Sequence, residues 1–273
     1  MKYQKTIFIK KGQKPGKTLA VFAGVHGNEK VGVLALDKII PKIEIEFGTV
    51  YFVYANPEAI LANTRKIKKD LNRSCLPNNC GKSYEDNRAR TLMRILDKAD
   101  AFLDLHAFSD RKGSPFVIGE KDSYDLARKM DFQFVISGWD KFDIGSTDGY
   151  MRSLGKPAIC LELGPNSKAK KYLPLAIKSV RQFLEYYGAT KSRQQKEPRQ
   201  RQIYSKLQKR VCKDSANFKF SKTYYTCALL KAGTIFATSG NLKYRAGRNS
   251  QILFPNQKAA TGDEACLIAK LII

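Results

Sequence analysis

Apolar residues in this chain fall into short runs of two kinds, separated by polar turns. Leu19-Ala20-Val21-Phe22-Ala23, residues 47–55, the run ending at His106 and residues 158–163 are nearly continuous and rich in β-branched or aromatic side chains. Runs of this kind predict strands buried on both faces. Between them, Ala89, Leu92, Met93 and Leu96 recur at helical spacing and predict a helix over 84–99. Ile177, Val180, Phe183 and Leu184 do the same for 174–187, with Gly188 as the stop. A helix from 31 to about 40 halts at Pro41, a shorter one is expected over 122–130, and further strands over 3–10 and 132–137. Strands alternating with helices predict an α/β sheet with helices on both faces.

Two stretches break that alternation. Residues 63–83 are polar without apolar periodicity, a long loop of the kind that often carries function. Residues 189–202 are polar and basic, contain Pro198, and mark the expected boundary between an α/β domain (1–190) and a second unit (200–273). Beyond it only strand signals remain, over 218–220, 224–230, 234–237, 251–254 and 266–273, punctuated by Gly233, Gly240, Pro255 and Gly262. The second unit reads as small and all-β.

The candidate chemistry lies where predicted strands end. His26 and Glu29 follow the first buried run through Gly24 and Gly27, and His106 ends another. These are the only two histidines of the 273 residues. Open α/β sheets bind ligands at the carboxyl edge of their strands. Two imidazoles and a carboxylate form a three-ligand set that a catalytic zinc accepts, leaving one position for water. Either histidine alone reads equally well as a satisfied buried residue; the pair, with Glu29, favours a metal. Glu162 stands inside the apolar run 158–163, where a carboxylate needs either an ion-pair partner or a tuned catalytic role. Beside a metal it would be the base that takes a proton from water and passes it to a leaving nitrogen. The cation-rich segment around Arg65 and Arg73 suits recognition of a carboxylate or an oxyanion, although such runs are also common on solvated faces.

The formal net charge is +24, and residues 191–273 carry more than half of it with 17 basic and four acidic residues. Nucleic-acid binding and focusing of anionic substrates both fit this excess. The lysines are dispersed and no nucleic-acid motif accompanies them, so a solvated lysine-rich surface is the preferred reading. No apolar run approaches the ~20 residues of a membrane helix. The six cysteines are scattered, only Cys75 and Cys80 being close, and reduced thiols in the cytoplasm are expected. A homo-oligomer is left open.

Gly24-Val25-His26-Gly27-Asn28-Glu29, Asn56-Pro57, Arg65, Asp70-Leu71-Asn72-Arg73, Asp104-Leu105-His106 and Leu161-Glu162-Leu163-Gly164 occur in that order. Together they resemble the succinylglutamate desuccinylase/aspartoacylase family, relatives of the zinc carboxypeptidases, over nearly the whole chain. The resemblance implies a zinc-carboxypeptidase-like mixed α/β sheet with flanking helices and a small β domain beside the site. It implies one Zn2+ per chain on His26, Glu29 and His106, with Glu162 as general base and Arg65 polarising the scissile carbonyl. Asn72 and Arg73 would hold a substrate carboxylate, and Arg152 would be a further substrate-binding arginine. The implied reaction is hydrolysis of the amide of a small, anionic N-acyl amino acid. A carboxypeptidase or peptidoglycan peptidase would share the metal site, and a basic nucleic-acid-binding protein with a vestigial site is the alternative from another class. The chain departs from the aspartoacylase branch at Asp148, where that branch has tyrosine, and after Glu264-Ala265, where tyrosines are replaced by Cys266-Leu267-Ile268. Specificity for acetylaspartate is therefore not implied. An acid at 148 facing the pocket would select a cationic group instead.

Overall fold

The computed structural model describes residues 5–109, 112–191 and 201–272. Strands β1 (Ile7–Lys11) and β2 (Lys14–Ala23) lead into helix α1 (Lys30–Ile39). Strand β3 (Phe47–Tyr54) is followed by helices α2 (Pro57–Ala62) and α3 (Tyr84–Leu96). Next come β4 (Ala101–Phe108), β5 (Phe116–Gly119), α4 (Tyr124–Arg128), β6 (Phe134–Ser137) and α5 (Thr147–Ser153). Strand β7 (Ala158–Pro165) precedes the longest helix, α6 (Ala169–Tyr186). The rest is β: β8 (Ile203–Cys212), β9 (Lys219–Phe220), β10 (Ala228–Leu230) and β11 (Ile235–Ser239). After them come β12 (Leu242–Arg245), β13 (Ser250–Leu253) and β14 (Glu264–Leu271).

Eleven strands form one mixed sheet in the order β1-β3-β2-β4-β7-β5-β6-β8-β14-β13-β10. Its centre, β3, β2, β4 and β7, is parallel, which requires both faces to be covered. The alternation along β2 shows how: Leu19, Val21 and Ala23 pack with α1 and α6, while Ala20 and Phe22 point to the other face and pack with α3. Phe22 meets Phe102 of β4 edge-to-face at 4.7 Å between ring centroids. The α/β architecture expected from the apolar runs is the one observed.

Three differences have physical causes. Helix α6 starts five residues before the expected 174, led in by a 3-10 turn at Asn166–Lys168. Proline favours a helix start, but Pro174 lies inside; the carbonyl it leaves without a helical donor belongs to Lys170, an exposed residue of the first turn. The short helix α5 is absent from the sequence reading, because seven residues including Gly149 carry too little periodicity. Strand β8 is also absent from it. Only Ser205, Leu207 and Val211 of that strand are buried, and its outward face is Lys206, Gln208, Lys209 and Arg210, so it reads as a basic surface stretch.

β8 pairs in parallel with β6, Phe134 opposite Ile203, so the C-terminal β region continues the main sheet edge. That region adds a separate three-stranded sheet, β12-β11-β9, and a core of its own around Phe218, Phe236 and Ile252. The expected boundary at 189–202 falls largely on residues 192–200, outside the described residues. All six cysteines are free thiols, Cys75 buried and Cys80 exposed. Among the described residues no helix is long and apolar enough to cross a membrane.

Candidate active site and metal centre

Parallel pairing aligns the carboxyl ends of β2, β4 and β7. Ala23 sits beside Leu105, and His106 beside Glu162, so the turn after β2 and the last residues of β4 and β7 open onto one edge. The chain leaves β2 through Gly24 at φ +71°, a left-handed conformation that glycine adopts without strain. Gly27 lies against the end of α2, where a Cβ would come within 2.0 Å of the Ala59 carbonyl carbon. These two glycines let His26 and Glu29 turn back over the sheet edge.

Glu29 is 5% exposed and sits between the two imidazoles. His26 Nδ1 lies 2.7 Å from Glu29 Oε1, and His106 Nδ1 lies 3.1 Å from Oε2. Ala107 N also donates to Oε2 at 2.9 Å. Burial works to raise the Glu29 pKa, but His26 and His106 outweigh it and hold the carboxyl well below its usual range. Among the described residues, His26, Glu29 and His106 are the group able to offer one ligand atom each to a common ion, all three atoms within 4.8 Å of one another.

Each ring is held from behind by a second carboxylate. His26 Nε2 is 3.1 Å from Asp70 Oδ1, and His106 Nε2 is 3.1 Å from Asp104 Oδ2. With Asp70 hydrogen-bonded at the far nitrogen of His26 and Asp104 charge-paired near that of His106, both Nδ1 atoms face Glu29, the arrangement that supports metal-binding histidines. The donor set, two nitrogens and one carboxylate with a buried supporting acid at His106 and a half-buried one at His26, fits a zinc ion.

The supports are themselves anchored. Asp104 is fully buried and accepts a hydrogen bond from Thr147 Oγ1 at the start of α5. Thr147 N donates to Asn72 Oδ1 at 3.1 Å, tying α5 to the loop that carries Asp70. Arg65 donates to Asp70 Oδ2 from Nε and Nη2 at 3.2 and 2.9 Å. Burial would raise the Asp70 pKa; His26 and Arg65 more than reverse this and push it far down. The loop is fastened to α3, where Glu85 accepts from the amides of Ile67, Lys68 and Lys69 and Lys69 pairs with Asp86 at 2.9 Å.

Glu162 is 9% exposed, and its Oε2 has no hydrogen-bond partner among the described residues. Burial, reinforced by the negative charge of Glu29, pushes its pKa up to about 8 against the pull of His106 and Arg65. The cavity in front of it, about 350 Å³, is lined by His26, Glu29, Arg65, Asn72, Arg73 and His106, among others. Thus seven of the eight residues singled out from the sequence meet here. The eighth, Arg152, does not line the cavity; its guanidinium is engaged by Asp140 and Asp148. The supporting Asp70 and Asp104 stood in the recognised motifs without a role. Thr147 and Asp143 carried no local signal at all, and Glu264 stood only as a marker of the C-terminal pattern, since a lone threonine or surface-type acid becomes meaningful only through what it faces.

Comparison with known proteins agrees with this geometry. The profile of the succinylglutamate desuccinylase/aspartoacylase catalytic domain matches residues 15–186. A probable aspartoacylase of Nostoc sp. is 28% identical over 194 residues, covering 62% of this chain and 65% of the relative, so the match spans less than two thirds of that protein. The succinylglutamate desuccinylase of Vibrio cholerae serotype O1 is 25% identical, with 92% of this chain and 80% of the relative covered. The crystal structure of a succinylglutamate desuccinylase from Vibrio parahaemolyticus superposes with a TM-score of 0.79 at 21% identity, covering 99% of this chain and 87% of that one, and shares the fold. With the catalytic-domain profile extending from β2 to the end of α6, and the His-Glu-His cluster and Glu162 inside it, this chain belongs to the succinylglutamate desuccinylase/aspartoacylase family.

Proposed function

We propose that this protein is a zinc-dependent amidohydrolase that cleaves the amide of a small N-acyl amino acid to the amino acid and a carboxylate. The observation that carries the reading is Glu162, a buried carboxylate with a free oxygen and a raised pKa, one strand away from His106 in register. A glutamate so placed, with no salt bridge among the described residues, suits proton transfer near neutral pH. The relatives' names point the same way, since they include desuccinylases, aspartoacylases and, in mouse, an N-acyl-aromatic-L-amino acid amidohydrolase.

His26, Glu29 and His106 would hold the metal, which supplies the Lewis acidity that activates water and polarises the carbonyl. Glu162 takes the proton of the attacking water and returns it to the amide nitrogen as the C–N bond breaks. Arg65, half exposed at the cavity and otherwise spent on Asp70, extends Nη1 to within 3.8 Å of Glu29 Oε1 and is placed to meet the developing oxyanion. Asn72 and Arg73 are oriented by Thr147 and Asp143 and would receive the substrate's carboxylate. A cavity of about 350 Å³, walled on the C-terminal side by Phe254, Asn256, Glu264 and Leu267, suits a small molecule better than a peptide.

The test pairs metal analysis with an amine-release assay on a panel of N-acyl amino acids. About one zinc per chain, lost together with turnover in His106→Ala, is the expected result. Wild-type protein that takes up no zinc on reconstitution would defeat the reading at its centre.

A further inference from the structure

The cavity holds a second set of charges. Asp143, Asp148 and Glu264 line it together with Arg73, whereas Arg152 and Arg210 stand outside the lining. Arg152 Nη2 is 2.9 Å from Asp148 Oδ2 and also pairs with Asp140. Arg210 Nε is 2.9 Å from Glu264 Oε2, and its Nη2 is 3.7 Å from Asp143 Oδ1. Arg73 Nη2 pairs with Asp143 at 2.7 Å. Three carboxylates, Asp143, Asp148 and Glu264, face the space with one guanidinium, Arg73, while Arg152 and Arg210 back them and Asp140 pairs with Arg152 outside the lining. Burial, with neighbouring carboxylates adding to it, raises Asp143 and Glu264 despite their arginines, whereas at Asp148 burial is outweighed by Arg152, which holds the carboxyl below its ordinary range. The Cys160 thiol on the same wall is likewise pushed up by burial and by Asp148.

Two apolar rings complete this part of the cavity. Trp139 and Phe254 both line it, with ring centroids 6.0 Å apart. Aromatic walls beside a carboxylate cluster suit an alkyl stem ending in a cation, which gains from ring faces as well as from negative charge.

We infer that the substrate is the N-acyl derivative of an amino acid with a cationic side chain, an ammonium or guanidinium received by Asp143 and Asp148. This rests on the amidohydrolase reading of the same cavity. Binding would exchange ion pairs. The substrate carboxylate takes Arg73 from Asp143, and the substrate cation takes the place Arg73 leaves. An anionic side chain in the same position meets like charges, and repulsion of this kind sets specificity as strongly as attraction does. Arg152 belongs to the same device. Its Nη1 is buried without a hydrogen-bond partner among the described residues, and Asp148 occupies the guanidinium that would otherwise serve an acidic substrate.

The experiment compares kcat/KM of the zinc-loaded protein for N-acetyl-L-ornithine, N-acetyl-L-lysine, N-acetyl-L-leucine and N-acetyl-L-aspartate at fixed ionic strength. A basic derivative is expected to exceed the leucine derivative about tenfold and the aspartate derivative by about a hundredfold. Asp148→Asn and Asp143→Asn should each lower the ornithine-to-aspartate ratio tenfold or more. That ratio does not depend on the fraction of folded enzyme. Calorimetric titration of L-ornithine and L-aspartate into metal-free and zinc-loaded protein gives a second readout, with tighter ornithine binding expected in both. Preference for the leucine or aspartate derivative, or a ratio unchanged in both variants, overturns the inference and leaves the amidohydrolase reading standing. Hydrolysis of no panel member by zinc-loaded protein overturns both.

Discussion

Around His26 and His106 nearly every charge is answered: Glu29 lies between the two rings, Asp70 and Asp104 lie behind them, and Arg65 balances Asp70. Around Asp143 and Asp148 the charges are sorted by side, three carboxylates and Arg73 facing the cavity and Arg152 and Arg210 standing behind, so the face turned to the cavity is acidic. The first group comes from the carboxyl ends of neighbouring parallel strands and one motif of four residues, backed by a loop that α3 holds in place. The second is assembled from the segment before α5, α5 itself and the C-terminal β region. Chemistry common to a family can be built into the rigid sheet edge, where geometry is over-determined. Selectivity can then vary on the connections around it. The contrast also separates local from global electrostatics, since a chain of net charge +24 keeps an acid-rich wall inside its cavity.

The largest effect should come from breaking the balanced group. Glu29→Gln leaves a neutral amide between two imidazoles, and metal analysis should find the zinc lost with all turnover. Glu162→Gln should keep the metal and lower kcat about 10² to 10⁴-fold, the usual contribution of a positioned general base. Retention of wild-type kcat would remove Glu162 from that role. Asp104→Asn keeps the shape behind His106 but not the charge, and competition with a chelator should show zinc affinity lowered about 10 to 100-fold.

A subtler difference concerns pH. The Glu162 pKa is raised to about 8 in the folded, metal-free protein from an ordinary value of 4.5. Between those values the native state keeps a proton that the unfolded state has released, so this group costs stability as pH rises through the window. A glutamine in its place does not titrate. The melting temperature of metal-free Glu162→Gln should therefore exceed that of wild type by a margin that grows from pH 5 to pH 8 and levels off above it. A margin independent of pH would show that Glu162 is not held protonated by its surroundings. Smallest of all, Arg210→Ala should change stability only slightly, because the Arg210–Glu264 pair is partly exposed. Its expected trace is a few-fold rise in preference for basic substrates, read from the same kcat/KM ratios, as the negative wall loses a compensating cation.

The metal-type group was legible in advance because its parts announce themselves locally. Buried parallel strands must be apolar throughout, so β2, β4 and β7 stand out, and a histidine or glutamate at the end of such a run has no bland place to be. The β8 strand was not legible, since a strand with one solvated face of lysine, glutamine and arginine shows little contrast with a basic loop. For Asp148 the sequence offered selection of a cationic group only on the condition that it face the pocket; its place in the cavity lining, with Arg152 one turn later and Asp143 in the loop before it, is a tertiary fact.

By itself, then, the sequence determined the alternation of strands and helices, the placement of two histidines and two glutamates at strand ends, and the family. These follow from short-range patterns: hydrophobic period, glycine turns and motif spacing. Only the tertiary structure decided that Asp70 and Asp104 stand behind the rings, that Thr147 ties α5 to the Asn72 loop, and that Asp143, Asp148 and Glu264 share one wall. Those relations join residues up to about 120 positions apart, and a charge acts through space on whatever it faces, not along the chain.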